Sequence, residues 1–318
     1  MKKKLLIFLS LAFIKLTAQD IHFSQYLAIK SSLNPALIGY QQQDYQIQLQ
    51  RRSQWESVTK PFSTFSVALN RKDFYNKFSL SLQFIDDKAG DSNFSTNGIV
   101  FSLSRINKIF NHQNISFGGS AGYYRRGLDQ RDLFFIDVEN IPSYSKRFFD
   151  ISLGIVHEYE VKQNISILSG FSIFHINTPN QSFFENNNVE LKRNNKIHSS
   201  IIYYYKQNIQ IKPGFYYSQQ GAVKEFVFGA NLNYLLTKYK RDVIVFRAAV
   251  HNRYNDAVIP SIGLKIDNFD IMTSYDINTS SLVSASEYKG GFEFSIIYNW
   301  EKDNKISNKT LIVCPKYL

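Results

Sequence analysis

From residue 44 onward, apolar and polar side chains alternate with a period of two, in stretch after stretch. Near the C-terminal end, Phe292, Phe294, Ile296, Tyr298 and Trp300 alternate with Glu293, Ser295, Ile297 and Asn299. Phe269, Ile271, Thr273, Tyr275 and Ile277 alternate with Asp270, Met272, Ser274 and Asp276, and Phe78, Leu80, Leu82 and Phe84 with Lys77, Ser79, Ser81 and Gln83. Successive side chains of a strand point to opposite faces, so this period predicts strands with one apolar and one polar face. The pattern places them near 44–54, 62–71, 77–86, 95–107, 113–125, 148–160, 163–175, 196–206, 209–218, 223–236, 242–254, 257–266, 268–278 and 291–300, about fourteen in all. Turn residues separate many of them, as in Asp86–Asp91, Lys162-Gln163-Asn164, Lys206-Gln207-Asn208 and Asp267-Asn268.

A soluble sandwich alternates too, but most strands of a soluble sheet are about five or six residues long. Segments of about ten residues suit tilted strands that cross a bilayer. Aromatic residues gather towards strand ends, at Tyr123-Tyr124, Tyr203-Tyr204-Tyr205, Tyr216-Tyr217 and Tyr298-Asn299-Trp300, the headgroup level of a membrane barrel. No run after residue 18 is long and apolar enough for a membrane helix. The fold class expected is all-β, a transmembrane antiparallel up-and-down barrel of about fourteen strands over 44–300. A tail at 301–318 follows it on the periplasmic side.

Residues 1–18 read differently. Lys2, Lys3 and Lys4 precede an apolar run from Leu5 to Ile14, and Thr17-Ala18 offers small residues before Gln19. That is the layout of a secretory signal peptide, too short to span as a helix. Removing it takes away four lysines and no acids, so the net charge falls from +11 to +7. The remaining charge is dispersed, without the basic block that nucleic-acid binding calls for, and an anionic lipid or glycan surface is at least as natural a neighbour. Cys314 is the single cysteine, so no intrachain disulfide forms.

Catalytic and metal chemistry find little support. His157, His175, His198 and His251 lie in or beside strands without nucleophile-elbow glycines, and no HxH or HExxH spacing occurs. His175 reads as a lumen or rim hydrogen-bonding residue. No cofactor motif stands out.

The segment 19–43 lacks alternation, and Asn34-Pro35 imposes a turn or kink. Irregular backbone cannot face lipid, so it belongs in the lumen or at the periplasmic face. The expectation is a plug, with Phe23, Tyr26 and Asn34 against the inner wall and Arg51, Arg52 and Gln54 of the first strand hydrogen-bonding to it. The alternative leaves these arginines at the periplasmic rim. Connections at 126–147, 176–195 and 279–290 are the longest, and long surface loops carry function more often than a barrel wall does.

The order Asp20, Phe23-Ser24-Gln25-Tyr26, Asn34-Pro35-Ala36 and Arg51-Arg52-Ser53-Gln54-Trp55 resembles the opening of the PorP/SprF family of type IX secretion outer-membrane proteins. Further resemblances follow at Pro61-Phe62-Ser63-Thr64, Asp86–Gly90, Phe174–Asn180, Ser274–Asn278, Glu293-Phe294-Ser295 and Cys314–Tyr317. Ile21 stands where the family often has Pro, and Lys60 where Gly or Ala is common before Pro61. The resemblance implies an outer-membrane protein of a Bacteroidota-type bacterium, set in outer-membrane lipid. It would assist secretion, or anchor a secreted surface protein or adhesin such as those of gliding. Its partners would include a periplasmic peptidoglycan-associated protein and other secretion components. The Asn-Pro-Ala element also resembles the hatch of FadL-type transporters, so a porin or FadL-like small-solute transporter is the alternative.

Overall fold

The computed structural model describes residues 20–41, 43–54, 62–90, 94–128, 144–184, 187–239, 242–280 and 289–302. The signal-like residues 1–18, Cys314 and most of the 126–147 and 279–290 connections lie outside them.

Fourteen strands close into one antiparallel barrel. They are β1 Tyr45–Gln54, β2 Phe62–Tyr75, β3 Phe78–Ala89, β4 Phe94–Phe110, β5 Gln113–Leu128, β6 Tyr144–Lys162, β7 Ile165–Phe174, β8 Asn194–Tyr205, β9 Ile209–Gln220, β10 Val223–Tyr239, β11 Asp242–Arg253, β12 Ala257–Ile266, β13 Phe269–Asn278 and β14 Lys289–Trp300. Each strand pairs with its neighbours in sequence, and β1 pairs with β14, from Tyr45 opposite Trp300 to Gln54 opposite Gly291. Closure satisfies every wall strand on both sides and leaves no free edge in the bilayer.

Parity sorts the two faces. Gln46, Gln48, Gln50 and Arg52 of β1 are buried, whereas their odd-numbered neighbours are not. Outside, Phe101, Phe117, Phe149, Leu153, Val250 and Ile262 are at least half exposed, as lipid-facing residues must be. The same parity corrects the aromatic clusters. Only one of each adjacent pair faces outward: Tyr124 stacks on Phe148 inside at 5.5 Å, and Tyr216 is buried in the lumen, whereas Tyr123 lies outside.

Alternation located every strand, with differences at the ends. Asp86–Ala89, expected as a turn, continues β3. Its carboxylates take hydrogen bonds from adjacent strands, Asp87 from Thr64 at 2.7 Å and Asp86 from Asn97, so the ladder extends through a polar stretch. The chain turns at Gly90, whose positive φ of 66° suits glycine. Likewise β6 begins at Tyr144 and β5 runs to Leu128, which shortens the 126–147 connection.

The two mouths differ. At the Tyr45/Trp300 end every connection spans two or three residues (76–77, 111–112, 163–164, 206–208, 240–241 and 267–268), and the other end carries the long ones. Outer-membrane barrels keep short turns on the periplasmic side, which orients the chain. Tyr45 and Trp300 stack at 5.3 Å at that periplasmic end.

Candidate functional site

Residues 20–41 run down the inside of this wall, from the outer mouth to the periplasmic mouth. Two short 3-10 helices, Lys30–Ser32 and Pro35–Tyr40, interrupt an otherwise irregular path. A single strand-free segment cannot satisfy its own backbone, so its polar groups must be met by inward-facing side chains.

At the outer mouth, Asp20 is clamped. Its Oδ2 lies 2.7 Å from His175 Nε2 and accepts from Asn194 Nδ2 at 3.0 Å, while its backbone N–H donates to Gln220 Oε1 at 3.0 Å. His175 Nδ1 lies 2.9 Å from Asp150 Oδ1, so both imidazole nitrogens meet carboxylates. Burial alone pushes the His175 imidazole down, but the two carboxylates more than offset it and raise it to about 9. Burial likewise opposes the Asp20 carboxylate, and His175 holds it well below the usual carboxylate range. His175 itself adopts φ 57°, a left-handed conformation uncommon outside glycine and held here by the clamp.

Below this sits a buried ionic network. Glu293 of β14 accepts the backbone N–H groups of Ser24 at 2.7 Å and Gln25 at 2.8 Å, and Gln50 Nε2 at 2.6 Å. Asp276 Oδ2 of β13 accepts from Ser24 Oγ and Arg52 Nη2 at 2.8 Å and from Arg253 Nη1 at 3.0 Å. Arg253 Nη2 in turn donates to Ser24 Oγ at 2.8 Å, and Arg52 Nη1 to His22 O at 3.1 Å. Arg52 is 1% exposed. Buried charges persist only with such pairing and hydrogen bonding.

The Asn34-Pro35-Ala36 turn docks deepest. Asn34 is fully buried: its Oδ1 caps Ala36 N at 2.9 Å, and its Nδ2 donates to Ile155 O and Phe171 O at 3.1 Å and lies 3.2 Å from His198 Nε2. Ser116 Oγ donates to Ala36 O and Ser172 Oγ to Leu33 O, both at 2.8 Å. Glycines make the approach possible. A Cβ on Gly154 would fall 2.0 Å from Asn34 Oδ1, and one on Gly118 would fall 2.4 Å from Ala36 N. Gly118 and Gly154 face each other across β5 and β6, and Gly170 of β7 completes the flat. Around it, Leu33, Ala36 and Leu37 pack on Val156, Leu168, Tyr216 and Val227, an apolar patch on a largely polar inner wall.

Of the residues singled out from sequence, the structure brings five to the inner side. Phe23 is buried, Tyr26 packs against Tyr216 at 4.7 Å and His251 at 5.4 Å, and Asn34 and Arg52 take the positions described. Gln54 is half-buried at the inward parity of β1, against Gly291. Arg51 is a correction. It is exposed on the outer face, paired with Phe65 and Phe294, because neighbours on a strand cannot share a face. The reading missed Gln25, Glu293, Asp276, Arg253 and the glycine flat. Inward-parity charges within alternating strands, and inward-parity glycines, were the available signals.

Among solved structures the chain is similar to the Ralstonia pickettii toluene transporter TbuX, with TM-score 0.52 and 10% identity over 83% of this chain and 91% of that one. It is also similar to the monoaromatic hydrocarbon channel CymD, with TM-score 0.51 and 10% identity over 87% and 94%. At such identity these likenesses speak for the fold alone. No curated protein matches the sequence. A family model described as "Type IX secretion system membrane protein PorP/SprF" matches residues 16–298. That span takes in the lumen segment and nearly the whole wall, and the chain belongs to the PorP/SprF family of type IX secretion system membrane proteins.

Proposed function

We propose that this outer-membrane barrel assists secretion by holding exported surface proteins, such as adhesins, at the cell surface. It acts through its mouths rather than by passing solutes. The observation that carries the reading is the lumen segment, bonded along its length by inward-facing side chains that include ones from β1, β3, β5, β8, β11, β13 and β14. A wall so occupied is suited to presenting fixed surfaces. The long outer connections, including the 175–193 excursion, are where a secreted protein would be met. The short periplasmic turns are where a peptidoglycan-associated partner and other secretion components would dock, in a Bacteroidota-type envelope.

Deleting the gene and cataloguing surface proteins by shaving proteolysis is the test. The expected result is that a subset of secreted proteins leaves the cell surface for the medium while bulk outer-membrane proteins stay. An unchanged surface catalogue would overturn the reading. A second reading, a solute channel like that of FadL-type transporters, draws on the cavities of about 520 Å³ and 250 Å³ to either side of the segment. Single-channel conductance of the intact barrel would favour it.

A further inference from the structure

Beneath the Asn34 turn the lumen opens towards the periplasm as a vestibule of about 520 Å³, within the range of sites that hold ligands of drug or short-peptide size. Its wall is unbalanced in charge: among the described residues seven lysine and arginine side chains line it against three aspartates and glutamates. Two of those acids are already engaged, Asp270 with Arg247 at 2.6 Å and Glu158 with Asn114 at 2.8 Å.

The cations do not converge on one point. Lys72 extends from β2 and Lys212 from β9, seven strands apart in a fourteen-strand ring and so on opposite walls. Lys30, from the lumen segment, stands between them. Its ammonium donates to Tyr40 O at 2.5 Å and shares this space with Lys212, Lys72 and Arg247. Lys72 Nζ is tied to Gln41 O at 3.1 Å. Lys212 Nζ has no hydrogen-bond or ion-pair partner among the described residues, although the residue is half-buried. Mutually repelling cations in a confined space are a cost that an anion would relieve. Between them the wall carries amides: Gln48 donates to Gln46, Gln46 to Asn299, and Asn233 to Gln210. Amides offer both donors and acceptors, as an extended backbone requires.

From this we infer that the periplasmic vestibule binds an acidic peptide segment, its carboxylates spread between Lys72, Lys30 and Lys212 and its backbone met by the amides. A compact anion would leave one wall's charge unanswered, whereas an extended chain with several carboxylates answers both. The site does not depend on what is held at the outer mouth.

The test uses the purified full-length barrel in detergent and in oriented proteoliposomes, with fluorescent hexaglutamate as the probe. Saturable binding from the periplasmic face is expected. It should weaken at least fivefold in Lys212→Gln, recover in Lys212→Arg, and weaken further as salt is raised. The Lys212 ammonium has no bonding partner among the described residues, and its backbone contacts do not depend on it, so the substitution should leave heat-modifiable migration of the barrel unchanged. Absence of saturable binding would overturn the proposal, as would affinity indifferent to Lys212→Gln or displacement by an equal concentration of inorganic pyrophosphate. Because the assay contains no secretion partner, its failure would leave the surface-holding role standing, and the gene-deletion result would not bear on the vestibule.

Discussion

Asn34 shows how one side chain fixes the path of a segment guided by only two short 3-10 helices. Its amide meets two wall carbonyls and a histidine nitrogen, and its carbonyl caps the turn that follows. The wall side of this contact is made by what is missing, since Gly154 has no Cβ to collide with Oδ1. Gly154→Ala is therefore expected to displace the turn while the barrel still closes. Limited proteolysis checks this, with new cleavage between residues 27 and 40 and unchanged β-sheet circular dichroism. Asn34→Ala should act in the same direction, at a cost of about 1–3 kcal/mol for the buried wall groups it strands. The Asn-Pro element was visible in the sequence. Its receptor was not, because Gly118, Gly154 and Gly170 become a surface only once three strands are placed in register. The same scale explains Arg51: the Arg51-Arg52 pair drew attention as a unit, yet strand geometry permits only one of the two inside.

At the scale of elements, every strand was legible and its ends to within about four residues, because a barrel wall exposes one face to lipid and one to polar contents. What period two could not convey is which inward charges meet. Glu293, Asp276 and Arg253 sit on three different strands, and their association depends on register and on the segment threaded between them. The outer end of that segment carries a pH dependence. His175 is raised to about 9 from an ordinary 6.5, so the stabilisation it gives is complete below about 6.5 and is lost as pH rises through about 9. The Asp20 partner is lowered, so its contribution persists above the ordinary carboxylate range and fails only in strong acid. A spin label at Ile21→Cys, in a Cys314→Ser background, is expected to be immobile at pH 7 and mobile above pH 9. In His175→Phe it should be mobile at both.

At the scale of the whole molecule, the sequence conveyed a closed fourteen-strand wall and a membrane setting. The irregular segment was expected as a plug in the lumen, but its course from the outer mouth at Asp20 to the periplasmic mouth at Gln41 was not legible, since nothing local sets its direction. The observed path predicts that the intact barrel conducts weakly in planar bilayers. A chain lacking residues 20–41, refolded and checked by heat-modifiable migration, should conduct severalfold more. Equal conductance of the two would mean that the segment does not obstruct the lumen.

The ionic network has one more consequence, for the line where the wall meets itself. β1 and β14 are the first and last strands, and joining them brings together residues more than 200 positions apart in the chain, the longest-range pairing in the sheet. Ser24 and Gln25 straddle that seam: Glu293 lies on one side of it, Gln50 and Arg52 on the other, and all of them are bonded into one cluster. The segment is thus a staple across the closure as well as a filling. Prising the first and last strands apart means breaking a desolvated charge cluster along with a ladder of backbone bonds.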